Sequence, residues 1–320
     1  MGSEIRFAHL SDWHGTTLRG GGLALLRAKR LSGWASWRWS RRQRHSTRVL
    51  EAALRDVRDQ RVDRVVVTGD LTHVSLEQEF RAAARQLASL GEPERVFLIP
   101  GNHDRYVPVA PERSWDHWAD YLRGTSPSAL PESLADCLAD EPEAGRAPRH
   151  ADYPTLRTFE RVAFVGLCSA IATPVFRAGG QLGREQLERL EKLLLRLRER
   201  GLCRVVLIHH PVAISSEPTR RALWDAEGFR EVVARAGAEL VLHGHKHRRR
   251  VASIEGPRSE VPVIGVPSAS EVGSRPEKRA RYDVYRVSAD ASERGFRIEA
   301  EERGYDARRG EFVHEQTRPL

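Results

Sequence analysis

The sequence predicts an α/β fold built on open β-sheets, and three observations predict it. Five short runs, 5–10, 64–68, 96–99, 204–208 and 239–242, have the apolar, β-branched and aromatic content of covered strands. Amphipathic helical patterns separate these runs. After the fifth run come four more strand-like stretches in close succession, 250–254, 261–266, 282–287 and 296–300, which suggests a second sheet packed on the first.

Taken in order, the first strand runs to Leu10 and ends in Ser11-Asp12-Trp13-His14. Residues 19–45 read as an insertion, with Gly20-Gly21-Gly22 as a flexible joint. A helix over 47–60 follows, with Val49, Leu50, Ala53, Leu54 and Val57 on one face. The second strand ends in Gly69-Asp70. Ser75 and Gln78 look like a capping box for a helix that Gly91 stops. The third strand breaks at Pro100-Gly101, where Pro offers no N–H, and leaves Asn102, His103 and Asp104 beyond it. Residues 108–158 form a variable excursion with a helix near 114–123. A strand at 162–167 leads to a helix over 183–200 with Leu187, Leu190, Leu194 and Leu197 inward; its alternating Glu and Arg make a solvated face. The next strands end in His209-His210-Pro211 and in His243-Gly244-His245-Lys246-His247, with a helix near 219–236 between them. The expectation is a single domain over 1–307 and a weakly held tail over 308–320.

No apolar run reaches the roughly 18 residues needed to span a membrane, and no basic-then-apolar leader opens the chain, so the expected location is the cytoplasm. Cys137, Cys168 and Cys203 read as buried free thiols and not as a disulfide framework.

Ligands in open α/β sheets bind beyond the carboxyl ends of the strands. Five strand ends here carry carboxylate, amide or imidazole, each with a glycine or proline nearby. One such end is ordinary turn chemistry; five in order are not explained as independent caps. The order Asp12-x-His14, Gly69-Asp70, Gly101-Asn102-His103-Asp104, His209 and Gly244-His245-x-His247 resembles the calcineurin-like metallophosphoesterases, most of all their bacterial cyclic-nucleotide-phosphodiesterase-like branch. Trp13 departs mildly from the family pattern, which usually has an aliphatic residue there.

The resemblance implies a four-layer α/β/β/α sandwich of two packed mixed β-sheets flanked by helices. It also implies two divalent metal ions, Mn, Fe or Zn. Asp12, His14, Asp70 and His247 would hold one, and Asp70, Asn102, His209 and His245 the other. Asp70 is the natural bridge, with an oxygen for each ion. Such a pair can acidify a bridging water and clamp phosphoryl oxygens during in-line displacement at a phosphodiester, phosphomonoester or pyrophosphate bond. The match places His103 beside the leaving-group oxygen as a proton donor, with Asn102 as a further substrate contact. Asp104 could orient the His103 ring by accepting its other N–H, or serve as a turn or cap residue. His210 and His243 read as packing residues, and His73 as lining the mouth of the site or capping a turn. His9, His45 and His150 carry no spacing argument. Lys246 and 248–250 read either as a basic rim that could hold an anionic substrate or as a solvated basic turn.

The net charge is +8, and its excess is local. Arg19, Arg27, Lys29, Arg30, Arg38, Arg41, Arg42, Arg44 and Arg48 fall in a stretch without Asp or Glu, where Trp34, Trp37 and Trp39 alternate with them. That composition suits an interfacial helix on an anionic membrane surface or a cap packed on the domain with Arg stems covering it. The first option would make the enzyme a peripheral lipid pyrophosphohydrolase at the inner membrane face, similar to those of lipid A synthesis. A nuclease and a non-catalytic scaffold are weaker alternatives. The basic excess lies in a Trp- and Leu-rich insertion and not in a polar groove, which disfavours nucleic acid. The expected partner is a phosphorylated small molecule or lipid.

Overall fold

A computed structural model describes residues 4–18, 21–26, 28–38, 44–213, 218–273, 276–290 and 295–320, with side chains of 23, 26, 28 and 36 left out. Arg19, Gly20, Arg27, Trp39, Arg41 and Arg42 of the insertion lie outside the described residues.

Two six-stranded sheets face each other. The first has the order β12-β11-β10-β1-β2-β3 and the second β4-β5-β6-β7-β9-β8. In the first sheet β1 (Ile5–Leu10), β2 (Arg64–Val67) and β3 (Val96–Leu98) run parallel, and β10 (Arg281–Ala289), β11 (Phe296–Asp306) and β12 (Glu311–Pro319) extend it antiparallel. In the second, β5 (Val162–Gly166), β6 (Cys203–Leu207), β7 (Leu240–His243) and β9 (Val261–Gly265) are parallel, with β4 (Thr155–Phe159) and β8 (Arg250–Ile254) antiparallel at the edges.

The alternation of β6 shows how the layers form. Val205 and Leu207 point into the core between the sheets, while Val206 and Ile208 face the outer helices. Phe7 of one sheet meets Phe164 of the other edge-on, with ring centroids 5.1 Å apart. Helices α1 (Ala28–Ser36), α2 (Thr47–Asp59) and α3 (Glu77–Leu90) precede β3 in the chain, and α2 and α3 bury Val49, Leu50, Ala53, Val57, Phe80, Ala83 and Leu87. Helices α4 (Arg184–Glu199) and α5 (Ala226–Ala236) cover the second sheet through Leu190, Leu193, Leu194, Leu197, Phe229 and Val233. Single helical turns at Trp115–Trp118 and Ala119–Leu122 occupy the expected helix near 114–123. The two-sheet sandwich matches the expected fold class. The three cysteines are free and buried, and among the described residues no helix is long and apolar enough to cross a membrane.

Four local expectations are corrected. The late strand run does not form one sheet: β8 and β9 join the second sheet, while β10 to β12 extend the first beside β1. The expected tail is instead β12, hydrogen-bonded along β11. As an edge strand it exposes most of both faces and buries Phe312, so it lacks the alternation that marks a strand in sequence. Residues 155–158 belong to β4 and not to the excursion. The cap of α3 is not Ser75 and Gln78. The buried Glu79 carboxylate accepts the backbone N–H groups of Leu76 (3.0 Å), Val74 (3.1 Å) and His73 (2.7 Å).

The described part of the insertion is a cap packed on the domain. Trp37 is buried with Leu18, Val74 and Leu76, and Trp34 packs against this cluster. Lys29 donates to Thr173 O (2.6 Å) and Oγ1 (2.8 Å), and Arg30 Nε donates to Val74 O (3.1 Å). These groups face the protein, so they are not presented to a lipid surface.

Candidate metal centre

The loops after β1, β2, β3, β6 and β7 converge at one end of the two sheets. The backbone ties them together: Asp12 N donates to Gly69 O (2.9 Å), His14 N to Asp70 O (3.1 Å) and Gly244 N to His209 O (3.2 Å). Two glycines permit the closeness. A Cβ on Gly101 would stand 2.3 Å from Asp70 Oδ1, and one on Gly244 would stand 1.9 Å from Ser11 Oγ. Asp12, His14, Asp70, His245 and His247 all have positive φ, between 39° and 70°. Side chains other than glycine seldom adopt that region, and strain of this kind gathers at functional sites.

The side chains form two groups that meet at Asp70. Asp12, His14, Asp70 and His247 offer ligand atoms within 4.8 Å of one another, as do Asp70, His209 and His245. Asn102 Oδ1 joins the second group, 3.1 Å from His209 Nε2 and 2.8 Å from His245 Nδ1. Asp70 Oδ1 accepts His103 N (2.7 Å), and Oδ2 stands 3.8 Å from His14 Nε2 and 3.3 Å from His209 Nε2.

Hydrogen bonding shows that this donor set suits cations. His14 Nδ1 lies 2.7 Å from Thr72 O and His209 Nδ1 2.6 Å from Thr68 O. A carbonyl only accepts, so both Nδ1 atoms carry the proton. A neutral ring would then turn its Nε2 lone pair toward other acceptors: His14 Nε2 is 3.3 Å from His247 Nε2, and His209 Nε2 faces Asp70 Oδ2 and Asn102 Oδ1. Among the described residues, His245 Nε2 is buried without a hydrogen-bond partner, and buried Asp12 Oδ1 has only His247 Nε2, 3.2 Å away, beside it. Such a cluster requires positive charge at its centre, from protons or from metal.

The titration tendencies agree. Burial opposes charge on His209, but the Asp70 and Asp12 carboxylates outweigh it and push the ring up to about 9. Burial also opposes charge on His247, and Asp12 and Glu271 raise it to about 9. His14 and His245 are held well below the usual imidazole value by burial and by neighbouring imidazoles, so they are neutral. Burial opposes the charge of Asp12 too, yet His247 and His209 hold it below the usual carboxylate range.

His103 lines the same cleft, which has a volume of about 230 Å³. Its Nδ1 lies 2.6 Å from His73 O, and its ring stacks on Tyr106 with centroids 5.4 Å apart. This corrects the expected role of Asp104, because the orienting acceptor for His103 is the His73 carbonyl. Asp104 instead accepts backbone N–H groups from Asp70 (2.8 Å), Leu71 (3.0 Å), Thr72 (3.0 Å) and Gly101 (3.0 Å), binding the β2 loop to the β3 loop. Burial and the Asp70 carboxylate push its pKa up to about 7, against the pull of those N–H donors.

The calcineurin-like phosphoesterase family model matches residues 5–249. The chain belongs to the calcineurin-like phosphoesterases. It is therefore a metal-dependent phosphoester hydrolase of a family that typically binds two divalent metals. Its structure is similar to a dimetal phosphatase from Danio rerio, at 14% identity and a TM-score of 0.55, over 97% of this chain and 98% of that one. It is also similar to an NAD nucleotidase from Haemophilus influenzae, at 13% identity and a TM-score of 0.50, over 98% of this chain and 60% of that one. At these identities the likeness is one of fold. No curated protein sequence matches the chain.

Within this phosphoesterase, His210 stays outside both groups, with Nδ1 2.8 Å from Ser169 Oγ and Nε2 3.2 Å from Ala178 O. His243 packs at the end of β7, against Gly265. His73 is buried and stacks on His14, with centroids 5.2 Å apart. Two contributors were not legible in the sequence. His45, from the end of the insertion, lies with His14 and His247 within metal-ligand reach. Glu271 stands 3.6 Å from His247 Nδ1. Neither belongs to a strand-end block, the one signal that marked the others.

Proposed function

We propose that this phosphoesterase hydrolyses a small, multiply charged phosphoric ester, a monoester or a pyrophosphate in preference to a diester. Asp12, His14, Asp70 and His247 would hold one divalent cation, and Asp70, Asn102, His209 and His245 the other. When bound, the two cations supply a water that ionises near neutral pH and neutralise phosphoryl charge. The observation that carries this reading is the pair of donor groups sharing Asp70 Oδ2, with ring nitrogens turned inward by backbone carbonyls.

The preference for high charge rests on the rim. Arg44, Arg221, Lys246 and Lys278 line the cleft. Arg44, Arg221 and Lys278 form no ion pair with a carboxylate among the described residues. Cations around a cleft attract and retain an anion with more than one charge. His103 lines the cleft with its Nδ1 proton held by His73 O; as the imidazolium it would also carry a proton on Nε2 and could pass that one to the leaving oxygen. The packing of Trp37, Lys29 and Arg30 gives a lipid surface no support.

The test is a panel with purified, Mn-loaded protein: p-nitrophenyl phosphate, bis-p-nitrophenyl phosphate, a nucleoside diphosphate, cyclic AMP, UDP-diacylglucosamine and single-stranded DNA. The monoester and the diphosphate should show the higher kcat/KM. Turnover confined to diesters or DNA would refute the substrate class. Asp70→Asn should lose most bound metal and nearly all turnover; near-normal metal content with near-normal rates would refute the site.

A further inference from the structure

We propose that His45 is an additional ligand to the cation held by Asp12, His14, Asp70 and His247, so that the insertion completes the metal site. This rests on the two-metal reading above. One ring nitrogen each of His14, His45 and His247 lies within 4.8 Å of the others. The His45 ring centroid is 4.9 Å from that of His14 and 5.5 Å from that of His247.

The position of His45 is built by backbone pairing. His45 bridges to Glu271 as in an antiparallel ladder, Ser46 N donates to Ser270 O (3.0 Å), and Val272 N donates to Arg44 O (2.8 Å). The same short ladder carries Glu271, which faces His247 Nδ1 at 3.6 Å. One segment thus orients both rings.

The hydrogen-bond chain behind His45 accommodates the tautomer a ligand needs. Ser268 Oγ lies 2.6 Å from Asp12 O and must donate to it, because a carbonyl only accepts. Ser268 Oγ can then only accept from the Ser270 hydroxyl, 3.3 Å away. When Ser270 gives its proton to Ser268 Oγ, Ser270 Oγ accepts from His45 Nδ1 at 2.8 Å. The nitrogen left with a lone pair is Nε2, the arrangement expected of a metal-ligating imidazole whose other nitrogen is held by a partner. A separate third ion is not accommodated. A neutral imidazole has one lone pair, and those of His14 and His247 are already directed at the Asp12 group. His45 therefore adds to an existing sphere. The cation on the Asp12 side then has one more protein donor than the cation on the Asn102 side, and the two sites should differ in affinity.

The test is calorimetric titration of chelator-stripped protein with Mn²⁺, with metal content measured by mass spectrometry. Two variants separate the ring nitrogens. His45→Asn places an amide nitrogen near Nδ1, keeping the Ser270 contact, and has nothing at Nε2. His45→Gln reaches the Nε2 position with a polar atom. Wild-type protein should bind two equivalents. In His45→Asn one equivalent should bind as in wild type and the other at least about tenfold more weakly, since loss of even an outer partner of a ligand costs about 10–100-fold. His45→Gln should recover part of the loss. His45→Asn binding both equivalents with wild-type affinity overturns the proposal even if turnover falls. His45→Gln binding no better than His45→Asn overturns it too. Wild-type protein that binds fewer than two equivalents instead overturns the two-metal reading on which the proposal rests.

Discussion

Replacing Asp104 separates a scaffold role from a chemical one. The residue is 2% exposed, and its carboxylate accepts four backbone N–H groups at 2.8–3.0 Å. Asp104→Ala removes every one of these acceptors. A buried donor left without a partner costs about 1–3 kcal/mol. Some of the donors will find water or relax, so the expected loss is about 4–6 kcal/mol, in the range that marks a broken buried network. Asp104→Asn keeps the volume but turns an NH₂ toward N–H donors, and should lose about 2–4 kcal/mol. Equilibrium urea unfolding of the metal-free proteins measures both, with turnover of p-nitrophenyl phosphate recorded alongside. Since the His103 ring proton goes to His73 O, turnover should fall only as far as the site is disordered. An Asp104→Asn protein as stable as wild type within about 0.5 kcal/mol, yet more than about a hundredfold slower, would refute this reasoning. It would return Asp104 to a direct part in the chemistry.

Three further outcomes are expected. His103→Ala should keep its metals and lose roughly 10²–10⁴-fold in turnover of alkyl phosphates. The loss should be smaller for p-nitrophenyl esters, whose leaving group needs little protonation; equal losses in both series would remove His103 from proton donation. Gly244→Ala would push a Cβ to 1.9 Å from Ser11 Oγ and 2.3 Å from Asp12 Oδ2, so metal analysis should show depletion on the Asp12 side; full content would mean the loop shifts freely. Burial pushes the Lys29 ammonium down to about 8, below an unfolded value near 10.4. The unfolded chain then binds more protons between those values, so stability gains from Lys29 as pH rises from about 8 to 10. Urea midpoints for wild type and Lys29→Met at both pH values should show that gain in wild type alone.

Much of the site was legible because its chemistry is local in sequence. A strand that ends in Gly-Asp or Gly-Asn-His-Asp announces both the break and the ligand. Asp12, His14, Asp70, Asn102, His209, His245 and His247 do meet at one end of the two sheets. The inward leucines of α4 followed from helical spacing, with Leu193 in place of Leu187 among the fully buried ones. Adjacency to His103 left Asp104 open between orienting the ring and bracing a turn, because it says nothing about direction. The chain turns its carboxylate back to the β2 loop and leaves the ring to the His73 carbonyl.

The sequence by itself determined the fold class, the family and the identity of most candidate ligands. Strand periodicity and strand-end residue types are short-range properties, written within a few positions of each other. Only the tertiary structure decided which partners sit behind those ligands. His45 and Glu271 reach the site through a two-residue ladder between segments far apart in the chain. Asp70 Oδ1 accepts a backbone N–H of the β3 loop. The insertion's Trp37 is buried, although its interleaving with arginines suited a membrane surface equally well. Composition records what a segment can touch. Which surface it touches depends on apolar area and hydrogen-bond acceptors supplied by residues elsewhere in the chain, such as Val74 and Thr173, and that information exists only once the chain has folded.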